Sequence, residues 1–422
     1  MAERSIAPVL KTGNPQGFVS SNLTASASAE PAAEPTAMPA AMPAADAAAD
    51  SHHDLAIVGA GIAGAALAYF ASAQARVLLL EREAQPGYHS TGRSAAMFME
   101  SYGPPQVRAL TRASRAFLEQ PPAGFADAPL LRPRGALYVA SPEQTAAASA
   151  LLATLRADGC PAQALSGAQA QARVPVLRAA ACAAAVLDPL AADLDVAALH
   201  QGFLRGARSR GARLVCEAEV SALAREADGW CIAAGGRQWR TTTVVNAAGA
   251  WADELAARAG LAGLGLQPRR RTAFVFAPPA GLAIEGWPCV ADVGEGWYFK
   301  PEAGLLLGSP ANADPVPPHD VVAEEYDVAL GIDRIEQATT LTIRRPRRTW
   351  AGLRSFVADG EPVLGADPAA EGFFWVAALG GYGIQSAAAV GAAGAAWLAR
   401  QPLPPALRAA GIDAHALRVR RG

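Results

Sequence analysis

The sequence predicts an α/β fold in α+β two-domain form, with a Rossmann-like nucleotide-binding domain and a second domain built on antiparallel sheet. Three observations predict it. Leu55–Val58 is a short apolar run followed at once by Gly59-Ala60-Gly61-Ile62-Ala63-Gly64, then a helical stretch, then a second apolar run, Val77–Leu80, that ends in Glu81. Between Gln267 and Leu307 lie several strand-like runs: Thr272–Phe276, Trp297–Lys300 and Leu305–Leu307. Near the end, Phe373–Ala377, Gly380-Gly381-Tyr382-Gly383 and Ser386–Ala399 repeat the order strand, glycine turn, helix. A chain of 422 residues is long enough for two cores.

Residues 1–50 are rich in Ala, Pro, Ser and Glu and show no amphipathic period, so a disordered N-terminal extension is expected. They hold no apolar signal-peptide core. Back-translation of Pro8–Gly13 and then of Val19–Thr24 permits the paired stems of a serine transfer-RNA anticodon arm and T arm, in that order. The reading frame is therefore expected to overlap such a gene, with Met38 or Met42 nearer the start of the protein.

In the glycine motif each residue has its own role. Gly59 allows the tight turn, Gly61 lets backbone N–H groups approach a pyrophosphate, and Gly64 permits close helix–strand packing. The helix running from Ile62 to Ala73 offers its positive dipole end, and Glu81, about 20 residues on, can accept hydrogen bonds from ribose hydroxyls. An adenine dinucleotide is the ligand this pattern predicts.

Pro104–Glu119 has helical spacing, Arg134–Ala140 reads as a strand, and Pro142–Asp158 reads as a helix with Ser141 as its N-cap. Asp195–Arg210 is an amphipathic helix closed by Gly211. Ala212–Val220 and Gly229–Ala234 alternate like paired strands. Thr243–Ala247 is a buried strand running into Ala248 and Gly249, small residues that let a backbone pass close to a ligand. Val322–Ile335 is expected to be helical. At the late glycine turn the helix start can face the N1–C2=O edge of a flavin, and the same pattern also suits a tight helix–sheet contact with no ligand.

Bulk properties exclude several classes. The 36 Lys and Arg residues nearly balance 38 Asp and Glu, giving a net charge of −2, and basic residues cluster only at Pro268–Arg271 and Arg344–Arg348. No nucleic-acid partner is expected. The cysteines show no CxxC spacing and the histidines no metal-ligand cluster, which predicts a reducing, cytoplasmic setting and no structural metal. No apolar run reaches the roughly 18 residues a membrane span needs.

Four segments, VGAGIAGAALAYFASAQARVLLLEREAQPGYHSTGRSAA, VVNAAGAWAD, TWAGLRSFVADGEPVLG and FFWVAALGGYGIQSAA, resemble the D-amino-acid oxidase family of FAD-dependent oxidoreductases. Within it the chain looks most like the bacterial D-arginine dehydrogenases. The resemblance runs from about Asp54 to about Ala406. It implies that FAD is the cofactor and that Ala63, Glu81, Arg82, Ser90, Thr91, Gly92, Arg93, Ser94, Ala95, Ala96, Met97, Val220, Gly380, Gly381, Tyr382, Gly383, Ile384 and Gln385 surround it. It also implies an interleaved layout, with residues 51–100, 196–260 and 351–410 forming the FAD-binding domain and 101–195 and 261–350 the substrate domain.

Oxidation of a D-amino acid moves a hydride from Cα to flavin N5 and leaves an imino acid, which water converts to a 2-oxo acid and ammonia. The cofactor carries the electron chemistry, so the protein must orient Cα, and the α-carboxylate is the natural handle. Arg354 resembles the family's carboxylate-binding arginine, whose planar fork suits a bidentate pair; a structural salt bridge is the alternative role. Tyr298, Tyr102 and Arg271 are candidates to reach the same group, and the Gly381 carbonyl to accept from the amine. No side chain is required as a base, because a deprotonated amine can lose its hydride unaided. His89 is a candidate polar neighbour of the flavin.

Two departures from the D-arginine dehydrogenases matter. Ala136 stands where an acidic partner for a cationic substrate is expected, and its absence would leave a buried guanidinium unpaired at a cost of roughly several kcal/mol. Met97 stands where a histidine beside the flavin is expected. Both point to neutral or apolar D-amino acids, unless Glu100, Asp292 or Glu295 supplies a charge. The alternatives are a flavin amine oxidase acting on glycine or sarcosine, an NAD-dependent dehydrogenase, and a flavin-binding protein without turnover. The electron acceptor is unidentified.

Overall fold

A computed structural model describes residues 52–421. The expected N-terminal extension and the transfer-RNA overlap lie outside these residues. An eight-stranded sheet forms the nucleotide-binding half. At its centre His53–Val58 pairs in parallel with Val77–Leu80 on one side and with Arg237–Asn246 on the other, and Arg213–Val215 extends the parallel part beyond Val77–Leu80. Phe373–Ala377 adds a further parallel strand beside Val244–Asn246. The run VLLL of the second strand is buried along its whole length, as strands covered on both faces must be.

Helices Ile62–Ala71 and Ala387–Leu398 lie against each other and the sheet. Gly391 and Gly394 of the second face Ala66, Phe70 and Leu67 of the first, and a Cβ at Gly391 would stand 2.8 Å from the backbone of Ala66, so the two helix backbones nearly touch. A third helix, Val196–Ser209, covers the first through an aromatic cluster of Tyr69, Phe117, Phe125 and Phe203, in which Phe117 stacks on Phe203 at 5.6 Å. Each buried side chain of this size contributes about 1.5–3 kcal/mol.

The second sheet has nine strands. Its long ladder joins Gln267–Phe276 to Arg348–Phe356 antiparallel, from Gln267 opposite Phe356 to Val275 opposite Arg348. Leu305–Ser309, Tyr298–Glu302 and Cys289–Asp292 follow as an antiparallel meander, and Cys289–Asp292 then pairs in parallel with Ala136–Ala140. The strand holding Arg354, which the interleaved layout joins from residue 351 to the nucleotide-binding half, is hydrogen-bonded into this second sheet.

Several expected elements shift. Ala212–Val220 is not one strand. Glu217 adopts φ 54°, the chain turns there, and only Val220–Glu226 pairs with Gly229–Ala234, while Arg213–Val215 joins the parallel sheet. The Arg134–Ala140 strand begins at Ala136, because the N–H groups of Arg134 and Gly135 both donate to Ala191 O and Gly135 turns at φ 77°. Ser141 does cap Pro142–Gln144, but as a single tight turn before the helix Thr145–Ala157. The helix expected over Val322–Ile335 runs Glu325–Ala338.

Candidate active site

The glycine motif, the late glycine turn and the Arg348–Phe356 strand line one cavity of about 360 Å³. At one end the chain doubles back through Gly59, whose N–H donates to Leu80 O at 2.8 Å and whose φ of 102° suits glycine; a Cβ there would collide with Ala247 O. Glu81 takes the N–H of Ala60 on Oε2 at 2.9 Å and that of Glu83 on Oε1 at 3.0 Å. Its oxygens keep further lone pairs for a ribose. The N–H of Ile62, expected to serve the helix-end dipole, is instead taken by Thr91 Oγ1 at 3.0 Å. The N–H of Ala63, in the same first turn and on the cavity wall, has no acceptor among the described residues. That open donor at a helix start, beside Gly61, fits a phosphate-bearing dinucleotide.

Arg82 lies over the Trp251 ring at 3.9 Å, and the His89 and Trp251 rings are 4.6 Å apart. Glu83 Oε1 receives both Arg82 Nε at 3.0 Å and His89 Nε2 at 2.8 Å. His89, offered above as a polar neighbour of the flavin, thus belongs to the Glu81–Arg82 end of the cavity. The tight turn Ser90–Arg93 pins this end to the second sheet: Ser90 Oγ donates to Leu353 O at 2.7 Å, Trp350 Nε1 to Arg93 O at 3.1 Å, and Arg93 Nη1 to Val321 O at 2.8 Å.

At the other end stands Arg354. Its guanidinium lies deep in the protein, opens onto the cavity, and makes one hydrogen bond, to Tyr102 Oη at 3.2 Å. The rings of Phe356 and Tyr382 lie 5.5 Å away and that of Tyr102 5.9 Å. Among the described residues its polar neighbours are tyrosines and no carboxylate pairs with it, so the structural salt bridge is not its role. Burial opposes its charge, but the phenols of Tyr102, Tyr382 and Tyr298 outweigh that and raise its pKa. Burial pushes the Tyr382 phenol up to about 12, with Tyr102 and Glu295 adding to the rise and Arg354 and Arg271 opposing it. Arg271 stands opposite Gly352 on the long ladder, donates Nε to Asn312 O at 2.6 Å, and also lines the cavity.

Of the residues expected here, Arg354, Tyr298, Tyr102, Arg271 and Gly381 all line the cavity, as do Gly59, Gly61, Ala63, Glu81, Arg82, Ser90, Thr91, Arg93 to Met97, Val220, Ala248, Gly249, Gly380, Gly383, Ile384 and Gln385. Gly64, Gly92 and Tyr382 do not. Gly64 is used in packing, since a Cβ there would overlap Gly59 O; Gly92 sits behind the Gly87 carbonyl; and the Tyr382 ring turns toward Tyr102 and Phe356. The Gln385 side chain is spent inside the protein, on Met99 N at 3.2 Å, Met99 O at 3.2 Å and Thr111 Oγ1 at 3.0 Å.

Ala136 is fully buried and does not reach the cavity wall. The wall near it is Met97, Met99, Tyr138, Cys289 and Ala291. Burial raises the Cys289 thiol to about 11 and the Tyr138 phenol well above its ordinary value. Glu100 is paired with Arg115 at 2.5 Å, and Asp292 is held by Gln144 Nε2 and Gly296 N, both at 2.9 Å. Glu295 is exposed at the rim, at φ 57°. Sequence reasoning missed Tyr138, Cys289 and Trp297, which come from strand runs with no motif, and Trp251, which lies within VVNAAGAWAD, with Glu254 and Arg258 just after it, all open to that reading. Among the described residues no group of His, Cys, Asp and Glu has metal-site geometry, and no helix is long and apolar enough to cross a membrane.

The family model described as DAO, FAD dependent oxidoreductase, matches residues 54–397. FAD-dependent oxidoreductase domain-containing protein 1 of Bos taurus is 27% identical over 395 residues, covering 81% of this chain and 80% of the relative. Glycine oxidase of Geobacillus kaustophilus (strain HTA426) is 29% identical over 343 residues, covering 76% of this chain and 86% of the relative. The crystal structure of glycine oxidase from Geobacillus kaustophilus superposes with a TM-score of 0.74 at 24% identity, over 88% of this chain and 99% of that one.

Proposed function

The chain belongs to the DAO family of FAD-dependent oxidoreductases, and on that premise we propose that it oxidises D-amino acids with neutral or apolar side chains to imino acids. The observation that carries the reading is Arg354: a guanidinium with no acid partner among the described residues, opening onto the cavity that the glycine motif lines. Such a group calls for a carboxylate from outside the protein.

Arg354 binds the α-carboxylate, with Tyr102 and Tyr298 as further donors, and the Gly381 carbonyl accepts from the amine. Bound FAD supplies the acceptor for the α-hydrogen as hydride. Met97, Met99, Tyr138 and Ala291 form an apolar wall for the side chain, and the pairing of Glu100 with Arg115 removes one carboxylate that a cationic side chain would need. With Ala136 inside the core, the case against arginine rests on that wall. The likeness to D-arginine dehydrogenases, the two-domain division and a cytoplasmic location are parts of the same proposal, drawn from the sequence; the electron acceptor is unidentified.

A second reading, oxidation of glycine or an N-substituted amino acid, is favoured by the glycine oxidase relative. Anaerobic mixing with D-amino acids, L-amino acids, glycine and sarcosine, followed by flavin absorbance, separates the two. Fast bleaching by neutral D-amino acids with release of ammonia supports the proposal. Bleaching by glycine or sarcosine alone, or a profile led by D-arginine and D-lysine, overturns it.

A further inference from the structure

We propose that His200 is a positioning residue for FAD binding, which holds the Ala60 peptide of the glycine motif in the orientation that leaves the Ala63 N–H open to the cofactor. His200 comes from the helix Val196–Ser209, far in sequence from the motif, and is only 4% exposed. Its Nε2 lies 2.8 Å from Ala60 O. A carbonyl only accepts, so Nε2 carries the hydrogen and the ring is the Nε2–H tautomer or the cation.

The other side of the same residue is also gripped: Ala60 N donates to Glu81 Oε2 at 2.9 Å. Ala60 therefore has both of its backbone polar groups fixed by side chains, one from each flanking element. This matters because Ala60 precedes Gly61, the N-cap of the helix Ile62–Ala71, so its buried carbonyl has no partner within the helix and the histidine supplies the donor from outside. Loss of the imidazole would leave that carbonyl unpaired and let the Ala60 peptide turn away from the orientation that keeps the Ala63 N–H open for a phosphate.

The ring also braces the segment that follows. A Cβ at Gly87 would stand 2.9 Å from His200 Cε1 and 3.4 Å from Thr91 Cγ2, and Thr91 is the residue whose hydroxyl takes Ile62 N–H. One side chain thus contacts the glycine motif and the turn leading to Ser90–Arg93, both on the cavity wall, while itself remaining outside the cavity lining. Burial lowers the His200 pKa, the hydrogen bond to Ala60 opposing it, so the neutral ring is the resting form.

The test uses the full chain stripped of flavin and titrated with FAD by fluorescence quenching. His200→Gln keeps an amide donor at the reach of Nε2, and His200→Leu removes it at similar volume. We expect His200→Leu to raise the FAD dissociation constant about ten-fold or more, and His200→Gln to stay within about three-fold of wild type, with the apoprotein melting temperatures close together. Equal affinity of His200→Leu and wild type overturns the proposal, and so does equal weakening by both variants, which would assign the effect to shape. Should His200→Leu fail to fold, the tautomer decides in the wild-type protein: histidine ¹⁵N spectra showing hydrogen on Nδ1 alone overturn it, and Nε2–H supports it.

Discussion

Gly381 lies so close beneath the guanidinium of Arg354 that a methyl group in place of its α-hydrogen would overlap Nε, Nη2 and Cζ together. The late glycine turn therefore serves the arginine: it lets the fork lie flat against backbone. Gly381→Ala should displace Arg354 while leaving the remote glycine motif intact. The expected result is a fall in kcat/KM of roughly 10–100-fold, with unchanged flavin content by absorbance.

Arg354→Met should weaken every substrate and inhibitor that carries an α-carboxylate by about 2–5 kcal/mol, read as the dissociation constant of a carboxylate inhibitor from flavin spectral shifts. Arg354→Lys should recover only part of that, because an ammonium cannot form the paired contact.

The Cys289 thiol and the Tyr138 phenol of the wall are pushed upward, Cys289 to about 11, and so is the Tyr382 phenol behind it, to about 12. They stay protonated through the range in which an amino-acid ammonium releases its proton. The reductive rate with a saturating D-amino acid should rise with pH and reach a plateau without a falling limb below about pH 10. Stopped-flow measurement across pH 6–10 checks this, and a flat profile counts against amine deprotonation as the gate.

The Glu295 side chain makes no hydrogen bond or ion pair among the described residues and stands at the rim of the same cavity. Replacing it by glutamine should improve kcat/KM for D-aspartate and D-glutamate several-fold relative to D-alanine, since a like charge is removed from their path. Identical ratios in the two proteins would remove Glu295 from substrate selection.

Acid stability should depend on Asp367. Burial alone would raise its pKa, but Trp375 Nε1–H at 2.9 Å, Ala369 N–H at 2.8 Å and the Arg421 guanidinium favour the carboxylate and bring it below 3.8. The folded value is the lower one, so the contribution is present above about pH 4 and disappears as pH falls through the folded pKa. Asp367→Asn should cost about 1.5–3 kcal/mol at pH 7, and the difference in thermal midpoint between the two proteins should shrink toward pH 3.

The nucleotide-binding unit was legible because its constraints are local: Gly59 must turn at positive φ, Val77–Leu80 must be apolar throughout, and Glu81 must follow at fixed spacing. Arg354 was legible through its motif. Ala136 was singled out only through the resemblance to D-arginine dehydrogenases, and the residue itself lies in the core, off the cavity wall. Tyr138 and Cys289 were invisible because they are brought to the wall only by the parallel pairing of Cys289–Asp292 with Ala136–Ala140. His200 had no signal at all, since its partner lies 140 residues away. The break at Glu217 was hidden because an alternating run shows no sign of a left-handed residue.

The seam between Ile62–Ala71 and Ala387–Leu398 has a consequence for engineering. Gly391 meets the backbone of Ala66 directly, so at this point the approach of the two helices is limited by main chain. Trimming a side chain does not relax that backbone contact, so widening the site here to admit a bulkier cofactor analogue pries the two helices apart. Redesign for an altered flavin has to proceed from the open wall around Met97 and Tyr138, leaving this contact untouched.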